Sequence, residues 1–363
     1  NNLSLCFAAG GLGSSQITVR ATDAEGAFVD STFTARVAPA LQSVAVTPVI
    51  DEGGTVTLSG YFLDSAGTSP LSLTVAWDET TFETFTYPAG TTSFTQTHQY
   101  LDDNPLEPVT HARPISLMLS DAISATDAAG AVTTVNNVAP IVSGLQVTAS
   151  ANEGEPVTLT GTVFDPGTFD TASLNIDWGD GVVETLNLPA GATSFTSTHV
   201  YTSDSLGDSG APTAGFPITV SAANPTGGGS TSQSTAAAIV NVAPSLAGLS
   251  AIPNAANGTL TVQGTIVDPG TADSFALTVD WGDGGTETFS YPAGTSGFSI
   301  LHAYNHSVPP QSYALGLTVI DNSGGSSGVQ SLAASLARVV VEKTLGSRTV
   351  AEDGEDTIID LRK

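Results

Sequence analysis

The chain has a single cysteine, Cys6, in 363 residues, so no disulfide can close within it. Basic residues are scarce too: 8 Lys and Arg face 35 Asp and Glu, a formal net charge of −27. Phosphate backbones and anionic membrane surfaces are recognised by clustered Lys and Arg, so neither nucleic acid nor a charged lipid surface is an expected partner. No apolar run approaches the ~20 residues that span a bilayer as a helix. The opening stretch "NNLSLCFAAGGLGSS" lacks the basic flank of a signal peptide, which places any export signal or anchor outside this sequence. Also missing are a GxSxG elbow, a recurring Ser/His/Asp set and a phosphate-cradling glycine loop leading into a helix. These absences point away from an enzyme.

What is abundant is turn and strand material. There are 38 glycines and 20 prolines, with threonine, serine and valine prominent between them, a mixture that favours many short strands over long helices. The stretch "LNIDWGDGVVETLNLPAG" at 174–191 returns as "LTVDWGDGGTETFSYPAG" at 277–294 and, altered, as "LTVAWDETTFETFTYPAG" at 73–90. Landmarks recur in register: Trp77, Trp178 and Trp281; His98, His199 and His302; Tyr100, Tyr201 and Tyr304, each set spaced by 101 and then 103 residues. A unit of this size is too large for a solenoid repeat and matches a self-sufficient sandwich domain of ~100 residues. The expected organisation is the end of an incomplete repeat over 1–38, full repeats over 39–138, 139–242 and 243–342, and the start of a further domain over 343–363.

Within each repeat the hydrophobic period is two. Leu174, Ile176 and Trp178 share one face while Asn175 and Asp177 take the other, and Phe275, Leu277, Val279 and Trp281 repeat the pattern. The words "DPG", "GDG" and "PAG" supply turns between the runs. The predicted fold is all-β: tandem antiparallel β-sandwiches, arranged as beads on a rod. Completion of the partial ends by strand donation from another chain is the rival arrangement.

The ordered set of "DWGDG", a Pro-led strand, an H-x-Y pair and a strand ending in Asp before a glycine-rich turn resembles the PKD (polycystic kidney disease) repeat, an immunoglobulin-like domain of bacterial surface proteins and secreted hydrolases. The matching residues are Asp177, Trp178, Gly179, Asp180, Gly181, His199 and Tyr201, then Asp280, Trp281, Gly282, Asp283, Gly284, His302 and Tyr304. The first full repeat departs from the pattern, with Ala76, "WDET", Ser65 and Ser69 at acidic, proline or glycine positions of its siblings. The closing "AEDGEDTIIDL" resembles the start of a cadherin-like repeat. The PKD resemblance implies a non-catalytic extracellular module used as a spacer or adhesive element, and in some members a calcium binder.

Read as residues, the tryptophans belong to the core by parity. The glycines around Asp180 and Asp283 make turns, and each histidine is expected to bond to its neighbouring turn, since one imidazole per repeat is too few for a transition-metal site. The carboxylates are the open question. An immunoglobulin-like strand order gathers Asp165, Asp170, Asp268, Asp273 and Asp321 at the incoming ends of repeats, and Glu153, Asp180, Asp204 and Asp208 at the outgoing end of the second. These residues either cap turns without metal or hold calcium, the cofactor that suits hard oxygen ligands. The candidate calcium ligands are Asp165 and Asp170 with Asp177, and Asp268 and Asp273 with Asp280. On that reading calcium raises the melting temperature of the second and third repeats and leaves the first nearly unmoved.

The function that follows is a structural or adhesive segment of a long extracellular bacterial surface protein, a semi-rigid spacer stiffened by calcium. Its partners are then other domains of the same protein, further copies in a fibre or sheath, or surface glycans. The alternative is a carbohydrate-binding accessory module, for which Tyr87, Tyr291 and Phe82 are the available aromatics.

Overall fold

Alternating apolar and hydroxyl side chains produce strands, and strands are what the chain forms. The computed structural model describes residues 14–36, 38–64, 69–103, 110–122, 126–204, 215–225, 227–304 and 311–336. Among them there is no helix long and apolar enough to cross a membrane. The expected further domain over 343–363 and Asp208 lie outside the described residues.

In the second repeat, strands Ile141–Val147, Pro156–Phe164 and Ser194–Val200 form one sheet, and Val183–Leu188, Ala172–Asp177, Phe216–Asn224 and Gly227–Ala237 form the other, each in that spatial order. The third repeat has the same two sheets, Ser245–Asn254, Thr259–Val267 and Gly297–Ala303 facing Thr286–Tyr291, Phe275–Asp280, Gln311–Asp321 and Gln330–Leu336. The first repeat adds a short parallel strand, Val49–Asp51, beside Thr126–Asn136. Ahead of it, Ser14–Thr22 and Phe28–Arg36 make an antiparallel hairpin. The architecture is a tandem series of immunoglobulin-like β-sandwiches.

Each sandwich closes over its own apolar cluster. Leu174, Ile176 and Trp178 are buried with Val157, Leu159 and Val220, and the equivalent sets surround Trp77 and Trp281. The buried tyrosine hydroxyls donate to tryptophan carbonyls, Tyr100 to Trp77 at 2.8 Å, Tyr201 to Trp178 at 2.8 Å and Tyr304 to Trp281 at 2.9 Å. Each bond ties the two sheets together while meeting the hydroxyl's need for a partner away from water.

The first strand of each sandwich carries a register shift, at Gln42/Ala45, Ser143/Gln146 and Ala247/Ser250. The bulge needs a left-handed residue, supplied by Gly144 (φ 62°) and Gly248 (φ 61°), but by Ser43 (φ 51°) in the first repeat. A side chain there is strained, so Ser43→Gly is expected to stabilise the first repeat by roughly 0.5–1 kcal/mol despite glycine's greater freedom when unfolded. A higher urea midpoint for that repeat checks it; an unchanged or lower one refutes the strain.

The chain divides into two compact units. One holds the first repeat and most of the second; the other holds the third repeat together with Asn152–Gly154 and the stretch that begins at Thr202.

Candidate cation-binding site

Turn chemistry first fixes the aspartates of the "GDG" words. Asp180 Oδ1 accepts from the Val182 amide, and its Oδ2 lies 2.7 Å from His199 Nε2. Asp283 does the same with the Gly285 amide and His302, at 3.0 Å from the imidazole. The histidine rings stack on Trp178 and Trp281 at centroid distances of 4.9 and 4.4 Å. His98 stacks on Trp77 likewise, but Asp78 of the altered "WDET" turns its oxygens to Thr80 and Thr81 instead. Burial lowers the His98 pKa, against the pull of Glu83 and Asp78. His199 and His302 therefore pin their turns onto tryptophans as expected, whereas the turn beside His98 is held by Asp78 with Thr80 and Thr81.

The remaining carboxylates converge elsewhere. In the unit with the first two repeats, Glu52, Asp102 and Asp103 of the first repeat meet Asp170 of the second, all buried, with a ligand oxygen from each lying within 4.8 Å of the others. In the other unit, Glu153, Asp204 and Asp273 form a second group, and Asp268, Asp273 and Asp321 a third. The Asp-Pro-Gly turns position the aspartates: Asp165 Oδ1 accepts from the Gly167 amide and Asp268 Oδ1 from the Gly270 amide. Glu52 Oε1 and Glu153 Oε1 accept from the linker amides of Val138 and Val242, both at 2.7 Å. That leaves Glu52 Oε2, Glu153 Oε2 and Asp273 Oδ2 buried with no hydrogen-bond partner. Their residues are 3%, 1% and 0% exposed, so bulk solvent does not reach them.

These oxygens face common spaces. A Cβ built on Gly167 would lie 2.6 Å from Glu52 Oε2 and 2.9 Å from Asp170 Oδ2. On Gly270 it would lie 2.5 Å from both Glu153 Oε2 and Asp273 Oδ2. Glycine keeps each space open. Burial, and then the neighbouring carboxylates, push the Glu52, Asp170 and Glu153 carboxyls up to about 7 and Asp273 up to about 6. Asp165 and Asp268 are raised for the same first reason.

Cationic side chains are scarce along this part of the sequence. Arg113 donates to the Asp102 carbonyl at 3.2 Å, but from residue 114 to residue 337 the sequence contains no Lys or Arg. Buried carboxylates without a cationic side chain are strongly disfavoured unless they protonate or bind a metal. The donor set is all hard oxygen, which fits calcium and gives softer metals nothing to prefer.

The structure divides the six aspartates singled out from the sequence. Asp165 and Asp170 stand at one end of the strand Ala172–Asp177, and Asp177 closes the other, its Oδ1 accepting from the Gly179 amide. Asp268 and Asp273 are likewise separated from Asp280, which accepts from the Gly282 amide. Six extended residues span ~20 Å, so Asp177 and Asp280 share no site with the other four. Glu52, Asp102 and Asp103 are additions. Glu52 and Asp103 stand 101 residues before Glu153 and Asp204, a spacing visible in the sequence. Because the first repeat contributes three of the four carboxylates in its unit, it too is expected to respond to calcium, unlike the response read from its altered motif.

Among the aromatics, Tyr87 and Tyr291 pack partly against their cores, and Tyr87 accepts a hydrogen bond from Gln96. Phe82 is exposed.

No protein-family model matches the chain, and no curated protein does. Among solved structures, a tetra-tandem repeat in the extending region of a large adhesion protein aligns over 90% of this chain and 82% of its own, with 18% identity and a TM-score of 0.47. The FN1–FN3 domains of chicken CNTN1 align over 83% and 100%, with 8% identity and a TM-score of 0.24. Three immunoglobulin domains of titin, in a Glu-to-Ala variant, align over 84% and 100%, with 12% identity and a TM-score of 0.30. At such values these likenesses carry no functional argument.

Proposed function

We propose that this chain is a non-catalytic, extracellular spacer segment of PKD-like repeats whose sandwiches are braced by calcium at their incoming ends. The observation that carries the reading is the set of buried, unpartnered carboxylate oxygens at Glu52, Glu153 and Asp273, in a sequence with no Lys or Arg from residue 114 to residue 337. In the first unit a cation held by Glu52, Asp102, Asp103 and Asp170 joins two successive repeats. Asp-Pro-Gly turns and linker amides already fix part of the ligand set, so binding orders little additional chain. The extracellular setting agrees with this chemistry, since calcium there is abundant enough to load even modest sites.

Small-angle scattering of the whole chain in about 2 mM calcium, in the loading range of extracellular modules, and then in chelator tests the reading. A stiff, extended monomer that becomes flexible on chelation is expected. Identical profiles, with no calcium bound by calorimetry, overturn the bracing. Particles much larger than one chain in calcium overturn the single-chain spacer in favour of an assembling fibre.

A further inference from the structure

The two units do not offer a cation the same surroundings. The difference lies in one residue at the end of the sixth strand of the sandwich. In the third repeat Asp321 occupies that place, paired with Phe275 in the neighbouring strand; in the second repeat the equivalent place, one residue beyond Ala223 opposite Ser173, belongs to Asn224. Asp321 comes within reach of Asp268 and Asp273, completing a three-carboxylate group. Asn224 instead points its amide nitrogen at Asp170 Oδ2 (2.9 Å), Asn137 Oδ1 (2.7 Å) and the Val138 carbonyl (3.1 Å). There an amide takes the place of a third carboxylate, and its Oδ1 is buried without a partner.

We infer that the unit with the third repeat holds two calcium ions bridged by Asp273, whereas the unit with the first two repeats holds one. The inference rests on the calcium reading above. The first of the pair is held by Glu153, Asp204 and Asp273, and the second by Asp268, Asp273 and Asp321. Asp273 belongs to both groups, is 0% exposed and has its Oδ2 unpartnered among the described residues; its Oδ1 accepts from the Ser203 hydroxyl at 3.3 Å. Asp268 Oδ2 is also buried without a partner, as is Asn241 Oδ1, while Asp321 accepts from Asn241 Nδ2 at 3.0 Å and from the Gly325 amide at 2.7 Å. Five carboxylates with no Lys or Arg nearby in sequence balance two divalent ions to within one charge. In the first unit Asn224 puts a neutral amide where the third carboxylate of a second group would stand, and Arg113 already supplies a positive charge beside Asp102. A carboxylate shared by two calcium ions is ordinary coordination chemistry for this metal, whose ligand sphere is large and irregular.

The test is a calcium count on the whole chain, stripped with chelator and titrated with calcium chloride, by native mass spectrometry and calorimetry, with magnesium as the control for non-specific charge. Three calcium ions per chain are expected. Asp321→Asn, which installs the residue that the second repeat tolerates, should lower the count to two, and Asn224→Asp should raise it to four, each with an unchanged circular dichroism spectrum. Two ions in the wild type, unaffected by Asp321→Asn, would overturn the bridged pair while leaving one cation per unit. Four in the wild type would show that Asn224 does not block the second position and would overturn the asymmetry. No bound calcium at all would overturn the underlying reading.

Discussion

Stripped of divalent cations, the chain is expected to lose thermal stability as pH rises from 5 to 8, by on the order of 5 °C in Tm. The carboxyls of Glu52, Asp170 and Glu153 sit at about 7 and that of Asp273 at about 6 in the folded chain, because burial and like-charged neighbours penalise the ionised form. In the unfolded chain they return to the ordinary carboxylate range near 4. Between those values the native state keeps protons that the unfolded state has released, so raising the pH favours unfolding. Their stabilising effect is complete below the unfolded values and lost as pH rises through about 6 to 7. Calcium should abolish the loss: at a free concentration about 100 to 1,000 times the Kd it adds roughly 3–4 kcal/mol at pH 8. The net charge of −27 produces a slope of the same sign, and the double variant Glu52→Gln, Glu153→Gln separates the causes. It should lose much of both the pH slope in chelator and the calcium gain, as a diffuse charge effect would not. Calorimetry across this range in chelator decides; a flat wild-type profile would mean that these carboxylates ionise at no cost to the fold.

The second large effect is expected at Trp178. Its ring is buried, stacks on His199, donates from Nε1 to Glu184 at 3.4 Å, and its carbonyl accepts the Tyr201 hydroxyl. Trp178→Ala would remove the largest side chain of that core and leave a cavity between the two sheets. Large-to-small changes of this kind cost about 3–5 kcal/mol, a large part of the total stability of a ~100-residue domain. In a urea titration followed domain by domain, the second repeat should unfold first and far earlier than in the wild type. Tyr201→Phe, which keeps the ring and deletes one buried hydrogen bond, should cost only about 1 kcal/mol. A tryptophan serving as an exposed sugar platform would show the reverse pattern, with stability untouched by the alanine.

The all-β character and the inward tryptophans were legible before any coordinates. Leu174, Ile176 and Trp178 alternate with polar residues, and strand geometry sends alternate side chains to opposite faces, so the pattern alone decides which side is core. The triplicate Trp, His and Tyr landmarks make the same argument three times over. The bulge in each first strand was less visible, because Ser43 stands in the first repeat where glycine marks the others.

The carboxylate site divides differently. That acidic residues gather at repeat ends followed from their place in turns, but the grouping of Asp177 with Asp165 and Asp170 ignored the length of the strand between them. Glu52 and Asp170 are 118 positions apart and belong to different repeats. Alignment of repeats shows that Glu52 corresponds to Glu153; it does not show which other residue Glu52 touches. Local stereochemistry repeats every two residues and is written into the chain, so the sequence by itself determined strands, faces and cores. Which carboxylates share a space, and which oxygens are left without partners, was decided only by tertiary packing, because that proximity depends on how turns and linkers meet across long stretches of chain.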